Sequence, residues 1–165
     1  ATGSKHDEVF VGGSADDWFR GKGGADVFTG GEGSAETALR SRIEQRRVAN
    51  RVVRTGRVPV EDRDGLIKMA LAVAFPSEYE GFGAPALEAM ALGAPLICSD
   101  RGSLPEVVGD AGIVLPLDQA AWAGALGEAT TRRAELVATG SARVAQFSTR
   151  NSATDLLAAY RLALS

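Results

Sequence analysis

Two carboxylates, Glu80 and Glu88, stand eight residues apart, and the stretch between them opens with Gly81-Phe82-Gly83. Glycines in such a place let the backbone approach a ligand closely. An ionised carboxylate accepts hydrogen bonds from vicinal hydroxyls in pairs, and charge-assisted bonds are roughly twice as strong as neutral ones. Phosphate is served instead by the amides of a helix start, where partial positive charge gathers. The combination suits a ligand that carries both hydroxyls and phosphate. The same residues admit a plainer use, with Glu88 as an acid that caps a helix and the glycines only turning the chain.

The elements that must position this pair can be read around it. Ala72 to Phe75 is a short apolar run that ends at Pro76-Ser77, and Pro85 to Leu92 reads as a helix with proline in its first turn and Gly93 beyond its last. Glu80 then falls in the loop between strand and helix, and Glu88 in the helix's first or second turn. From Val52 onward the order is strand 52–55, helix 60–70, strand 72–75, helix 85–92, strand 95–99 and strand 112–115. Asp118 caps a helix predicted to run to about Thr139, where Gly140 breaks it. Thr149 or Asn151 starts a last helix that bears Leu156, Leu157, Tyr160 and Leu164. Alternation of this kind predicts an α/β fold, a Rossmann-like parallel sheet with helices on both faces, in which ligands bind beyond the carboxyl ends of the strands. The apolar face of the last helix reads as a core stripe. Where a neighbouring domain is lacking, part of that face is exposed and invites self-association.

Four linked motifs carry a family resemblance: Pro76-Ser77-Glu78-Tyr79-Glu80-Gly81-Phe82-Gly83, Leu87-Glu88-Ala89-Met90-Ala91, Gly93-Ala94-Pro95, and Leu104-Pro105-Glu106-Val107-Val108-Gly109-Asp110-Ala111-Gly112. Together they resemble the retaining GT-B glycosyltransferases called glycosyl transferases group 1. More thinly the resemblance extends from Gly30 to Ser165, through Arg51 to Val58 and the closing helices. It implies that Glu80, the catalytic candidate, contacts hydroxyls of the transferred sugar. The amides of Gly81, Phe82 and Gly83 would meet the sugar or diphosphate, and Glu88 would hold the nucleotide's ribose. The strand Val52 to Thr55 and the turn at Gly56 would lie beside the base. Ala84 stands where such proteins often carry a larger residue, so the sugar is not readable here. The implied partner is a nucleotide diphosphate sugar, and the donor domain requires no cofactor. A complete GT-B enzyme has two Rossmann-like domains and needs more than twice these 165 residues, whereas one domain takes roughly 100 to 200. The expectation is an incomplete GT-B C-terminal domain, spanning residues 30–165 and inactive alone. The family's Arg and Lys for the diphosphate have no counterpart before Gly30. Arg101 and Lys68 could substitute, though a solvated charge is the plainer role for each.

The first 38 residues follow another rule. Phe10, Phe19 and Phe28 are nine apart, and glycines at 3, 12, 21 and 30 keep the same period. The segment resembles the RTX nonapeptide repeats of calcium-binding β-rolls. That implies turns into which Glu8, Asp17 and Asp26 project, with Asp17 and Asp26 as the metal candidates and Ca2+ as the ligand. It departs from the pattern at Ser4, His6, Glu8, Ala15, Lys22 and Ala35, and Thr37 replaces an apolar residue. A Gly-rich acidic leader that is unfolded, or that only packs its three Phe, fits equally well. On this view residues 1–29 form a Gly-rich β-roll-like repeat segment ahead of the donor domain. Gly30-Gly31-Glu32-Gly33 serves both readings, with Val27-Phe28-Thr29 as the strand before it, as in a chimeric or truncated chain. The alternative function is a calcium-binding module fused to a folded α/β body.

Composition describes a globular body, 45% hydrophobic and 24% charged with a net charge of −3. Neither nucleic acid nor an anionic membrane is an evident partner. Residues 1–38 hold three Lys or Arg against seven acids, so the acidic excess sits on the repeats. The single cysteine, Cys98, lies in an apolar strand and reads as an inert buried thiol. The sole histidine, His6, leaves no Ser-His-Asp set. No stretch approaches the roughly 20 apolar residues of a membrane span, and the start lacks signal-peptide order. The predicted location is the cytoplasm, or outside the cell if the repeat reading dominates.

Overall fold

The computed structural model describes residues 9–11, 26–29, 36–56 and 58–164. Its strands are β1 (Val9–Val11), β2 (Asp26–Thr29), β3 (Val52–Gly56), β4 (Val73–Phe75), β5 (Leu96–Ser99) and β6 (Ile113–Leu115). They form one sheet in the order β3-β2-β1-β4-β5-β6, and every pairing is parallel. Its helices are α1 (Glu36–Arg46), α2 (Val60–Met69), α3 (Ala84–Ala91), α4 (Leu104–Val108), α5 (Gln119–Thr131), α6 (Arg133–Val144) and α7 (Thr149–Ala163). The Rossmann-like parallel α/β fold anticipated from the alternation is present.

Successive residues of a strand point to opposite faces, and the core divides accordingly. Val73 and Phe75 of β4 and Leu96 and Cys98 of β5 pack on one face against Ile67 of α2, Ala86, Ala89 and Met90 of α3, and Leu104 and Val108 of α4. On the other face Ile97 and Ile113 meet Ala125, Leu126 and Ala129 of α5 and Leu136 of α6. Strands covered on both sides read as continuous apolar runs, and every residue of β4 and β5 is buried.

Three expectations change. β1 and β2 lie within the segment read as repeats, yet β1 pairs with both β2 and β4. The boundary drawn at residue 29 therefore does not separate one sheet from another, and Val27-Phe28-Thr29 does serve as a strand. The helix capped by Asp118, whose Oδ1 accepts from Ala120 and Ala121, ends at Thr131 and not near Thr139. Gly140 breaks nothing. It is buried in the middle of α6, where an added Cβ would stand 3.3 Å from Cβ and Cγ of Met90, so its role is to let α6 close on α3. The stripe on α7 is not core: Leu156, Tyr160 and Leu164 are 57%, 61% and 87% exposed. Among the described residues no helix is long and apolar enough to cross a membrane.

Leu96 is wholly buried between strands and helices, so Leu96→Ala is expected to lower unfolding free energy by about 2–5 kcal/mol in a denaturant titration. Gly65 lies within α2 with nothing within 4 Å of an added Cβ. Gly65→Ala should do the opposite and stabilise by about 0.4–1 kcal/mol. Burial pushes the Cys98 thiol up from 9.0 to about 12. The folded chain should therefore resist a thiol reagent at pH 8 that labels the unfolded chain fully. The raised value implies that stability falls as pH rises from about 9 toward about 12, because the unfolded thiol ionises first.

Candidate functional site

The site is built at the carboxyl ends of β4 and β5. β4 continues into a loop, 76–83, and then into α3; β5 continues into 100–103 and then into α4. The order of strands reverses between β1 and β4, and at such a switch point the crevice beyond the strand ends is left open for ligands. Glu80 therefore sits in the loop that the sheet topology sets beside that crevice.

The loop is fastened from below. Ser77 is buried, and its hydroxyl donates to the Tyr79 carbonyl at 3.1 Å, while Ser99 at the end of β5 donates to the carbonyl of Ser77. The Glu80 carbonyl accepts from both the amide and the hydroxyl of Ser103, each at 3.1 Å. Gly102, at φ +56°, makes this approach feasible, since a Cβ there would stand 2.4 Å from the Glu80 oxygen and 2.8 Å from its nitrogen. Gly83 caps α3 at φ +85°, and a Cβ on it would strike Leu104 at 2.7 Å. Backbone capture leaves the Glu80 carboxylate unused by any side chain among the described residues.

No side chain caps α3, and Pro85 stands in its first turn. First-turn amides without an internal partner are left to solvent or to a ligand. Gly81 and Phe82, just before them, are exposed, whereas Gly83 is buried. Phe82 meets the edge of Phe147 with ring centroids 6.0 Å apart and planes at 71°. Arg143 lies over the Phe147 ring at 5.1 Å and donates to the carbonyls of Val107 and Glu106 at the end of α4. Arg143 of α6 thus braces α4, and Phe147, just after α6, meets the tip of the Glu80 loop.

Glu88 occupies the second turn of α3, half exposed, with Oε2 at 3.2 Å from Nη2 of Arg63 on α2. Of the two cations weighed as substitutes, Arg101 is exposed and pairs with Asp100 at 3.2 Å, and Lys68 is exposed on α2. Asp17 lies outside the described residues. Asp26 opens β2, its backbone paired in register with Val52, and so stands in a strand of the sheet and not in a turn. No group of three His, Cys, Asp or Glu is assembled among the described residues.

Arg63, Gly102, Ser103, Arg143 and Phe147 were not singled out in the sequence. Ser103 ahead of Leu104-Pro105 has the look of a helix cap, which could have flagged it. Its hydroxyl is spent on Glu80 instead, a contact across 23 residues that no local pattern encodes.

Residues 23–139 match the family described as Glycosyl transferases group 1. The chain belongs to that family. Over 111 residues it is 44% identical to the O-antigen chain mannosyltransferase B of Escherichia coli, covering 65% of this chain and 29% of that protein. Over 139 residues it is 39% identical to the D-inositol 3-phosphate glycosyltransferase of Jonesia denitrificans, covering 79% and 32%. The chain therefore spans about a third of the length of these relatives. Among solved structures, sucrose-phosphate synthase from Thermosynechococcus elongatus superposes with a TM-score of 0.76 over 95% of this chain and 45% of its own, at 24% identity. Anabaena Alr3699/HepE in complex with UDP and glucose also gives 0.76, over 94% and 49%, at 20% identity. These likenesses establish the GT-B-type fold.

The two loops depend on the Gly102 approach, so Gly102→Ala is expected to cost about 1–3 kcal/mol in chemical denaturation through backbone strain and displacement of Glu80. Gly81→Ala, with open space around it, should change stability by less than about 1 kcal/mol.

Proposed function

We propose that this chain is the donor-binding part of a retaining glycosyltransferase that takes a hexose from a nucleotide diphosphate sugar. The observation that carries the reading is the Glu80 loop, clamped by its carbonyl at the carboxyl end of β4 while no side chain among the described residues engages its carboxylate. A carboxylate so placed accepts a pair of sugar hydroxyls. The amides of Gly81, Phe82 and Gly83 take sugar or diphosphate oxygens, and Glu88 accepts from the ribose. As the bond to the anomeric carbon breaks, negative charge grows on the departing diphosphate, and the uncapped start of α3 is where fixed dipoles would meet it. Binding of the nucleotide holds the sugar against the acceptor and removes the entropy of bringing them together.

Support comes from the family match and from the two curated relatives, one a mannosyltransferase and one an inositol-phosphate glycosyltransferase. The fold shared with a protein solved with UDP and glucose bears the same way. The six strands belong to one donor-binding body on this reading, since a single sheet runs from β1 to β6. The acceptor-binding part packs on the exposed face of α7, and turnover needs both. The location proposed with this reading is the cytoplasm.

Titration calorimetry with UDP-glucose and GDP-mannose tests the reading. One of them should bind at sub-millimolar concentration, and Glu88→Ala should weaken it by about tenfold, the effect of one charge-assisted hydrogen bond pair. Heat from CaCl2 but from neither nucleotide sugar at millimolar concentration would overturn it.

A further inference from the structure

Arg63 has no part in the roles above, yet it lies against the carboxylate assigned to the nucleotide. It sits in the first turn of α2, with its amide bonded to the Pro59 carbonyl at 3.1 Å. Nε and Nη2 both reach Oδ1 of Asp64, at 3.2 and 3.0 Å, and Nη2 also reaches Oε2 of Glu88 at 3.2 Å. The side chains of Arg63, Asp64 and Glu88 are 30%, 31% and 43% exposed, so this group is neither buried nor freely solvated.

Two consequences follow from that geometry. A glutamate on a helix surface has several rotamers, and fixing one of them costs up to about 2 kcal/mol in side-chain entropy. Here the partner is itself held: Asp64 grips the guanidinium along its Nε edge, and the planar fork has little freedom left. α2 and α3 are in turn set by a shared core, in which Ile67 packs with Ala86, Ala89 and Met90. The ion pair therefore rests on rigid elements at both ends. The other consequence is electrostatic. The start of α2 carries Glu61, Asp62 and Asp64 beside Arg63, a rim that would repel a diphosphate. Arg63 lies between Asp64 and Glu88, and its charge offsets these two acids.

We propose that Arg63 is the positioning residue of the nucleotide site: by holding Oε2 of Glu88 it fixes the carboxylate so that Oε1 is presented to the ribose hydroxyls. The proposal rests on the assignment of Glu88 to the ribose. Arg63 acts through Glu88 and is not itself a catalytic residue.

The test compares UDP and GDP with their 2′,3′-dideoxy counterparts by calorimetry on the wild-type chain, Arg63→Leu and Arg63→Lys. The wild-type chain should prefer the ribonucleotide. Arg63→Leu should lose about three- to fivefold of that preference, the value of a half-exposed ion pair, beyond whatever loss of charge costs the ribo and dideoxy compounds alike. Arg63→Lys should recover part of it. An equal loss toward both nucleotides, or an undiminished preference in Arg63→Leu, would overturn the positioning role and leave the Glu88 assignment standing. A wild-type chain that binds ribo and dideoxy forms alike would overturn the Glu88 assignment itself, and the positioning role with it.

Discussion

The carbonyl of Glu80, taken by both the amide and the hydroxyl of Ser103 at 3.1 Å, joins two loops that have no sequence proximity. One follows β4 and bears the acid; the other follows β5 and leads into α4. A carbonyl has two lone pairs and can accept twice, and here both donors come from one residue. Without Gly102 the approach is sterically closed. Once made, it orients Glu80 from its backbone and engages no atom of its side chain. Gly83 against Leu104 repeats the device a few residues on, so the start of α3 is registered against α4 through glycine at both contacts.

That clamp has meaning only because of the sheet beneath it. β4 and β5 are adjacent and wholly buried, with Val73 opposite Leu96 and Phe75 opposite Cys98. Their common packing on α2, α3 and α4 fixes where the two loops emerge. Interiors packed at this density do not deform continuously, so a one-residue shift in either strand would turn its side chains to the wrong face. α6 adds a second tie, with Arg143 gripping the end of α4 and lying over Phe147, which meets the edge of Phe82. Precision at the site thus descends from the sheet, through glycine contacts and carbonyl capture, to one acid.

Much of this was legible in the residues themselves. Strands 52–55, 72–75, 95–99 and 112–115 and helices 60–70 and 85–92 fall within a residue or so of their observed bounds, because apolar runs, Pro85 and Gly93 are local signals. The family was legible for a related reason: its motifs are the loops that must keep one shape. What could not be read was tertiary. Gly140 looked like a helix breaker, and the need that it meets, room for Met90, exists only once α3 and α6 are packed. The nine-residue period drew β1 and β2 toward a separate roll, although their pairing partners include β3 and β4, tens of residues away. Arg63 gave no pattern at all, since its partner Glu88 is on the next helix.

On the proposed reading a nucleotide sugar is held by the 76–88 loop and helix start together with 100–104. Hydrogen–deuterium exchange on the chain with and without saturating UDP-glucose or GDP-mannose tests it most directly. Amide exchange should slow at 78–88 and 100–104, with α7 unaffected. Protection that appears only on other elements, while these two stretches exchange as before, would contradict it.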